Sequence, residues 1–207
     1  MWHLNDNGAI DDEIFGSRTG KTGDGAILGL QVLSDYSRVW KQNLVILFND
    51  ADGCFDQILP VLADIALRRV GTPTTVARAH TELQLKMKHY IKTAVEVSKG
   101  YIQYRKDTRK KMQNGIILLL IGLIGGIGQG GGGSPIIWMV VLMIMMATYK
   151  ESQSGAEMWD AVTCERIRCW IISYVDDNTL VQHFRYSDSV NYILQEMKKS
   201  LQEWHTL

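Results

Sequence analysis

Apolar runs predict the strands of a sheet. Residues 44–48 are all apolar and include Val and Ile, which is typical of a strand buried on both faces. We therefore expect a central strand here, with Asn49 and Asp50 at its carboxyl end. A second strand is expected over residues 167–175, and residues 178–184 are expected to return as its hairpin partner.

Apolar side chains recur at helical spacing over residues 55–70, where Arg68 and Arg69 occupy the expected last turn. Gly71 and Pro73 are expected to end this helix. Three further helices are predicted: residues 74–89, a helix that begins after Ser134-Pro135, and an amphipathic helix over residues 190–204.

The middle of the chain offers weaker signals. Residues 91–97 alternate between apolar and other side chains as in a strand, and residues 101–105 are its expected hairpin partner. A basic run follows over residues 105–111. Such a run is typical of a solvated loop, and contact with phosphate groups is the alternative.

No charged side chain lies between Lys111 and Lys150, which raises the alternative of a membrane span. The longest unbroken apolar part covers residues 136–147, which is 12 residues. A span needs roughly 20 residues. A buried core helix is therefore favoured, and no membrane partner is expected. Residues 130–134 are similar to an engineered Gly-Gly-Gly-Gly-Ser linker, but the core-like flanks argue against one.

The composition of the chain excludes few classes of protein. A chain of 207 residues with 46% hydrophobic side chains is able to bury a core, so disorder is not expected. Lys and Arg equal Asp and Glu at 22 each, so net charge does not indicate a nucleic-acid partner. Cys54, Cys164 and Cys169 lack the close pairing of a zinc site and favour a reduced intracellular compartment, cytoplasm or nucleus. The amino terminus carries no secretory signal pattern.

Three carboxylates follow predicted strands and are the candidates for chemistry. Asp50 ends the first strand, and Asp176 and Asp177 end the second. Nucleotidyl transfer needs two divalent cations roughly 3.5 to 4 Å apart, and Mg²⁺ takes oxygen ligands. An Asp-Asp-Asn sequence is also ordinary hairpin-turn chemistry, so the pair by itself is not specific.

The residues around Asp176 and Asp177 make this pair a more specific indication of a catalytic site. The string Tyr174-Val175-Asp176-Asp177 lies between two apolar strands, after an Asp50 to Asp56 block and a Gln129-Gly130 turn. Together they resemble the reverse transcriptases of LINE-type (non-LTR) and related retroelements. The resemblance implies an α/β (α+β) polymerase palm over residues 43–207, with an antiparallel sheet backed by helices. It also implies a partial fingers element over residues 1–42, while the thumb and flanking domains of a larger polyprotein are missing.

The resemblance also assigns roles to residues. Asp50, the carbonyl of Ala51, Asp176 and the more replaceable Asp177 are implied as ligands of two Mg²⁺ ions, with Mn²⁺ as a substitute. Residues 15–22 are similar to the family's fingers motif. The residues that this resemblance places near the incoming deoxynucleoside triphosphate are Arg18, Lys21, Phe55, Gln129 and Gly130, with Phe55 as the gate against a 2′-hydroxyl. Tyr174 and Val175 are implied to contact an RNA or DNA template with its primer.

Some residues depart from the family pattern. Gly128 and the glycines at 131–133 replace basic, proline or bulkier residues around the Gln-Gly turn. Asp52 competes with Asp50 as a ligand, although the spacing to Asp56 favours Asp50.

Two other functions are weighed against the polymerase. Residues 16–22 invite a P-loop interpretation, but only three residues separate the two glycines where four are needed. A catalytically inactive retroelement remnant that binds nucleic acid is the second alternative.

Overall fold

The computed structural model describes residues 10–50, 54–87, 90, 93–97 and 133–207. These residues form a mixed helical and sheet protein in which the paired strands are antiparallel. The chain divides into two compact units. The first unit comprises residues 1–52 and 142–207, and the second comprises residues 53–141. The predicted α+β class is therefore confirmed, while the division into fingers and palm at residue 42 stays a prediction.

The helices and strands follow one another along the chain in the order α1 (Gly23–Val39), β1 (Asn43–Asp50), α2 (Cys54–Gln57), α3 (Pro60–Arg69), α4 (Thr74–Lys86), α5 (Ser134–Ser152), β2 (Ala156–Trp159), β3 (Arg166–Cys169), β4 (Ile171–Tyr174), β5 (Asp177–Phe184) and α6 (Val190–Thr206).

The larger sheet of the first unit has the strand order β1-β5-β4. The strand predicted at residues 44–48 is confirmed as β1, but its central place is wrong. Among the described strands β1 pairs only with β5, and its residues are half-buried or exposed, with Phe48 77% exposed. An unbroken apolar run does not by itself distinguish a strand covered on both faces from one that borders an apolar cleft.

The single strand predicted over residues 167–175 is wrong, because the chain bends at Trp170. Before the bend, β3 pairs with β2, a strand that the sequence pattern did not reveal. After the bend, β4 pairs with β5. The Trp170 N–H leaves the sheet and donates to the carboxylate of Glu13 at 2.5 Å, while the Trp170 carbonyl still accepts from the N–H of Val181 in β5 at 3.0 Å. Residues 166–174 therefore contribute one strand to each of two sheets.

The single helix predicted over residues 55–70 is also divided. Leu59 has an extended backbone (ψ 137°) and Pro60 occupies the first turn of α3. A proline disfavours the helical conformation of the residue before it, so the chain forms α2 and α3 instead. The predicted last turn with Arg68 and Arg69 is confirmed, and Gly71 follows with φ 84°.

The later helices are confirmed as α4, α5 and α6. The strand predicted over residues 91–97 is wrong for residues 93–96. Thr93 closes a turn there, because its Oγ1 accepts from the N–H of Glu96 at 3.0 Å. The predicted hairpin partner at 101–105, the basic run at 105–111 and the Gln129-Gly130 turn lie outside the described residues.

The first unit packs α1 against one face of the β1-β5-β4 sheet. The buried side chains of this core cluster are Ala26, Leu33, Ala156, Ile172 and Val181. Helix α5 is 19 residues long and is the one described helix that is long and apolar enough to cross a membrane, although 44% of its most apolar window is buried. The core helix of a soluble protein passes the same test.

Candidate functional site

The pairing of β1 with β5 brings two of the predicted catalytic carboxylates together. The register runs from Asn43 opposite Phe184 to Asp50 opposite Asp177. Residues directly opposite each other on antiparallel strands have Cα atoms about 4.5 to 5.5 Å apart and project from the same face of the sheet. Asp50 and Asp177 are both exposed. Two of the three predicted carboxylates, 127 positions apart along the chain, therefore meet at one end of the sheet.

Asp176 lies beside this pair in the turn that joins β4 to β5. Tyr174 is opposite Asp177, so the hairpin loop consists of Val175 and Asp176. Val175 has φ 58°, as the first central residue of a tight hairpin turn requires. This conformation is unfavourable for a β-branched residue. The Asp176 carbonyl accepts a hydrogen bond from the side-chain amide of Asn178 at 2.9 Å, which ties the turn to β5.

A cleft of about 460 Å³ opens beside the two paired carboxylates. Its walls come from α1 and from the sheet face that α1 covers. Asp50 and Asp177 line one end of the cleft. The wall is lined by the side chains of Ala26, Ile27, Leu30, Phe48, Ile172 and Tyr174. The cleft thus combines an apolar wall with an acidic end.

The donor chemistry of the acidic end fits Mg²⁺ or Mn²⁺. Among the residues that the structure describes, no group of three or more His, Cys, Asp or Glu side chains is arranged to hold a metal ion. The exposed carboxylates of Asp50 and Asp177 are nonetheless hard oxygen donors on rigid strands, which Mg²⁺ prefers. Because exposed side chains change rotamer easily, the two groups are able to converge on a cation. Ala51 and the competing Asp52 lie outside the described residues.

The two basic residues of the predicted fingers motif have partners within the residues that precede them. The Arg18 side chain is 7% exposed, and it donates to the carbonyls of Asp11 at 2.7 Å and Ile14 at 3.3 Å. Lys21 lies 3.7 Å from the carboxylate of Asp12 and 5.0 Å from the centre of the Phe15 ring. Their predicted contacts with a nucleotide stay predictions.

The remaining predicted site residues fall in different places. Tyr174 is 44% exposed and lines the cleft, which suits its predicted contact with a primer or template. Phe55 belongs to the second unit, where its ring lies edge-on to Trp138 with centroids 6.5 Å apart. Gln129 and Gly130 lie outside the described residues.

Sequence reasoning missed two residues that contact the acidic hairpin. Gly16 lies against Val175, and the Glu13 carboxylate accepts from the backbone N–H groups of Trp170 and Ile171 at the start of β4. Gly16 was visible as part of a glycine-containing motif, but no pattern along the chain pairs it with the hairpin. Glu13 had no recognisable sequence signal.

No protein-family model matches the chain, and no curated protein matches it. The case for a function therefore depends on the residues of the chain and their geometry.

Proposed function

We propose that this chain is the fingers and palm core of an RNA-directed DNA polymerase, which extends a primer on an RNA or DNA template. The observation that carries the proposal is the register that sets Asp50 opposite Asp177, with Asp176 in the adjoining turn. The same three residues are the metal ligands implied by the sequence resemblance to reverse transcriptases.

In this proposal the carboxylates bind divalent cations at the acidic end of the cleft. Bound there, two cations would lower the pKa of the primer 3′-hydroxyl and neutralise negative charge on the triphosphate. The strands fix the backbone positions of Asp50 and Asp177, so only their side chains reorient when they bind the cations. Tyr174 and the apolar wall offer a surface for the sugar and base of the primer end.

The P-loop alternative receives less support from the structure. A P-loop follows a strand and leads into a helix. The described residues 10–22, which precede α1, contain only a single-residue bridge at Ile14 and no strand.

The inactive-remnant alternative makes a different prediction about metal. A remnant that only binds nucleic acid has no need for carboxylates that bind cations. Calorimetric titration of the chain with Mn²⁺ therefore separates the two functions, because the polymerase proposal requires binding that is lost in Asp50→Asn and in Asp176→Asn.

Primer extension tests the activity itself. We expect the chain, alone or with a thumb domain supplied, to extend oligo-dT on poly-rA in the presence of Mg²⁺ or Mn²⁺. Asp50→Asn should lower the rate by at least about a hundredfold, because metal ions contribute several kcal/mol to the transition state. Asp35→Asn is the matched control, since Asp35 is a surface carboxylate of α1 paired with Arg38. Equal extension by the Asp50 and Asp35 variants would exclude the proposal.

A further inference from the structure

Residues 10–18, which we term the N-terminal strap, run along the outer edge of β4. Ile14 forms a parallel bridge with Ser173. The Phe15 N–H donates to the Ser173 carbonyl at 2.8 Å, and the Ser173 N–H donates to the Glu13 carbonyl at 2.9 Å. Ile10 and Ile14 are buried. The strap is therefore hydrogen-bonded to the outer edge of β4, beside the hairpin that carries Asp176.

The Glu13 side chain anchors the strap to the start of β4. One carboxylate oxygen accepts from the N–H of Trp170 at 2.5 Å and from that of Ile171 at 3.4 Å. The other oxygen forms an ion pair with Lys150 of α5, and the Glu13 side chain is only 12% exposed. Burial raises the pKa of Glu13, while the hydrogen bonds from Lys150 and Trp170 act in the opposite direction. Both oxygens of Glu13 are thus engaged with the fold.

Two basic side chains, Lys150 of α5 and Arg18 of the strap, bind acceptor groups of the strap. Lys150 also contacts the carboxylate of Asp11 at 2.5 Å and lies 5.0 Å from the centre of the Trp170 ring. Arg18, at the far end of the strap, donates back to the carbonyls of Asp11 and Ile14. Such charge-assisted hydrogen bonds are stronger than neutral ones, so the strap has a defined conformation.

Near its carboxyl end, at Gly16, the strap packs against Val175 of the Val175–Asp176 turn. A Cβ added to Gly16 would overlap the backbone nitrogen of Val175 and lie 2.9 Å from its Cγ2. Only glycine allows this approach. The contacted residue is the one with φ 58°, whose conformation costs energy and needs support from its surroundings.

We propose that the N-terminal strap holds the Val175–Asp176 turn in place, which makes Gly16 and Glu13 positioning residues for the metal ligand Asp176. This inference rests on the proposed function for its consequence in catalysis. The contact between the strap and the turn is a separate, directly measurable claim.

The first test compares two glycine substitutions in the full chain. Gly16→Ala forces the strap away from Val175. Gly29→Ala is the matched control, because an added Cβ there meets only Ile172 Cδ1 at an ordinary 3.4 Å. Backbone hydrogen exchange at residues 174–177 should accelerate by about tenfold or more in Gly16→Ala. Exchange in the body of β5 should stay as in the parent protein, and Gly29→Ala should leave both regions unchanged.

The second test uses Mn²⁺ affinity, measured by calorimetry, as a readout of position. Gly16→Ala should weaken Mn²⁺ binding by about tenfold, although Gly16 itself offers no ligand. Glu13→Ala should do the same. Glu13→Gln should restore part of the affinity, because its amide oxygen still accepts from Trp170 and Ile171 while its amide nitrogen does not accept from Lys150.

The outcomes separate the two proposals. If the parent chain fails to bind Mn²⁺, the polymerase proposal fails, while faster exchange of the turn in Gly16→Ala still supports the role of the strap. If the parent binds Mn²⁺ and Gly16→Ala changes neither exchange nor affinity, the strap does not position the turn. Uniformly faster hydrogen exchange throughout β5 in Gly16→Ala would also overturn the proposed role of the strap, since Gly16 would then support the fold as a whole.

Discussion

His183, near the end of β5, has a hydrogen bond on each ring nitrogen. Its Nδ1 accepts from the backbone N–H of Glu157 at 3.1 Å, so the ring proton lies on Nε2. That nitrogen is 2.6 Å from the Ser37 hydroxyl, which in turn donates to the Leu33 carbonyl. The arrangement joins α1, β2 and β5 and accommodates only the neutral imidazole.

Lowering the pH should therefore destabilise the protein through His183. Burial lowers the pKa of His183 in the folded state, partly offset by its contacts with Glu157. Above the unfolded value of about 6.5 both states are neutral and the full stability is present. As the pH falls below that value the unfolded state takes up the proton first, so the free energy of unfolding decreases until the folded-state pKa is passed.

Urea unfolding at about pH 8 and about pH 5.5 measures this effect. The His183→Asn variant is the control, because it removes the titrating group while other histidines, such as the half-buried His80, remain. We expect a smaller loss of stability between the two pH values in the variant. An equal loss in both proteins would show that His183 does not cause it.

At the scale of elements, α5 and α6 are joined by a buried polar contact. The Tyr149 hydroxyl is hydrogen-bonded to the Ser200 hydroxyl, and Ser200 is fully buried. The Tyr149 ring also lies edge-on to Trp204 with centroids 5.5 Å apart. Burial raises the pKa of Tyr149, so the phenol stays protonated and able to donate.

Removing this hydroxyl should destabilise the helix pair. Tyr149→Phe keeps the ring contact but leaves the Ser200 oxygen buried without its partner, at a cost of about 1 to 3 kcal/mol. Tyr192→Phe is the matched control, because Tyr192 is half exposed on α6 and contacts Phe184 only through its ring edge. Urea denaturation of the two variants checks the difference. Equal midpoints would show that the hydroxyl pair contributes nothing.

For the whole molecule, the central strand β5 connects the acidic end of the sheet to its core. Leu180 is fully buried on β5, opposite Leu47 of β1 and Ile171 of β4. Asp177 lies only three residues earlier on the same strand. The position of the candidate site therefore depends on the packing of this strand.

Truncating the core at this point should have a large effect. Leu180→Ala should lower the free energy of unfolding by about 2 to 5 kcal/mol, because it removes buried methyl groups and leaves a cavity. Leu194→Ala, at a side chain of α6 that is 61% exposed, should change it by less than about 0.5 kcal/mol. Chemical denaturation followed by circular dichroism compares the two. Similar losses in both variants would contradict the assignment of Leu180 to the core.

Many local features of this protein were predictable from patterns along the chain. Helices α4, α5 and α6 and strand β5 were predictable, because periodicity and caps act within a few residues. The three candidate carboxylates were also predictable, since each follows an apolar strand. Other local features were missed: α1 was not predicted, and Pro60 divides a helix that periodicity alone joined.

The way in which these helices and strands meet was not predictable from local patterns. The order of the strands, the bend at Trp170 and the register of Asp50 with Asp177 depend on contacts between residues far apart in the chain. The fit of Gly16 against Val175 is of the same kind, because it arises where two backbones approach closely. No pattern along a single chain encodes a distance between segments, so the strap and the shared acidic end became visible only in three dimensions.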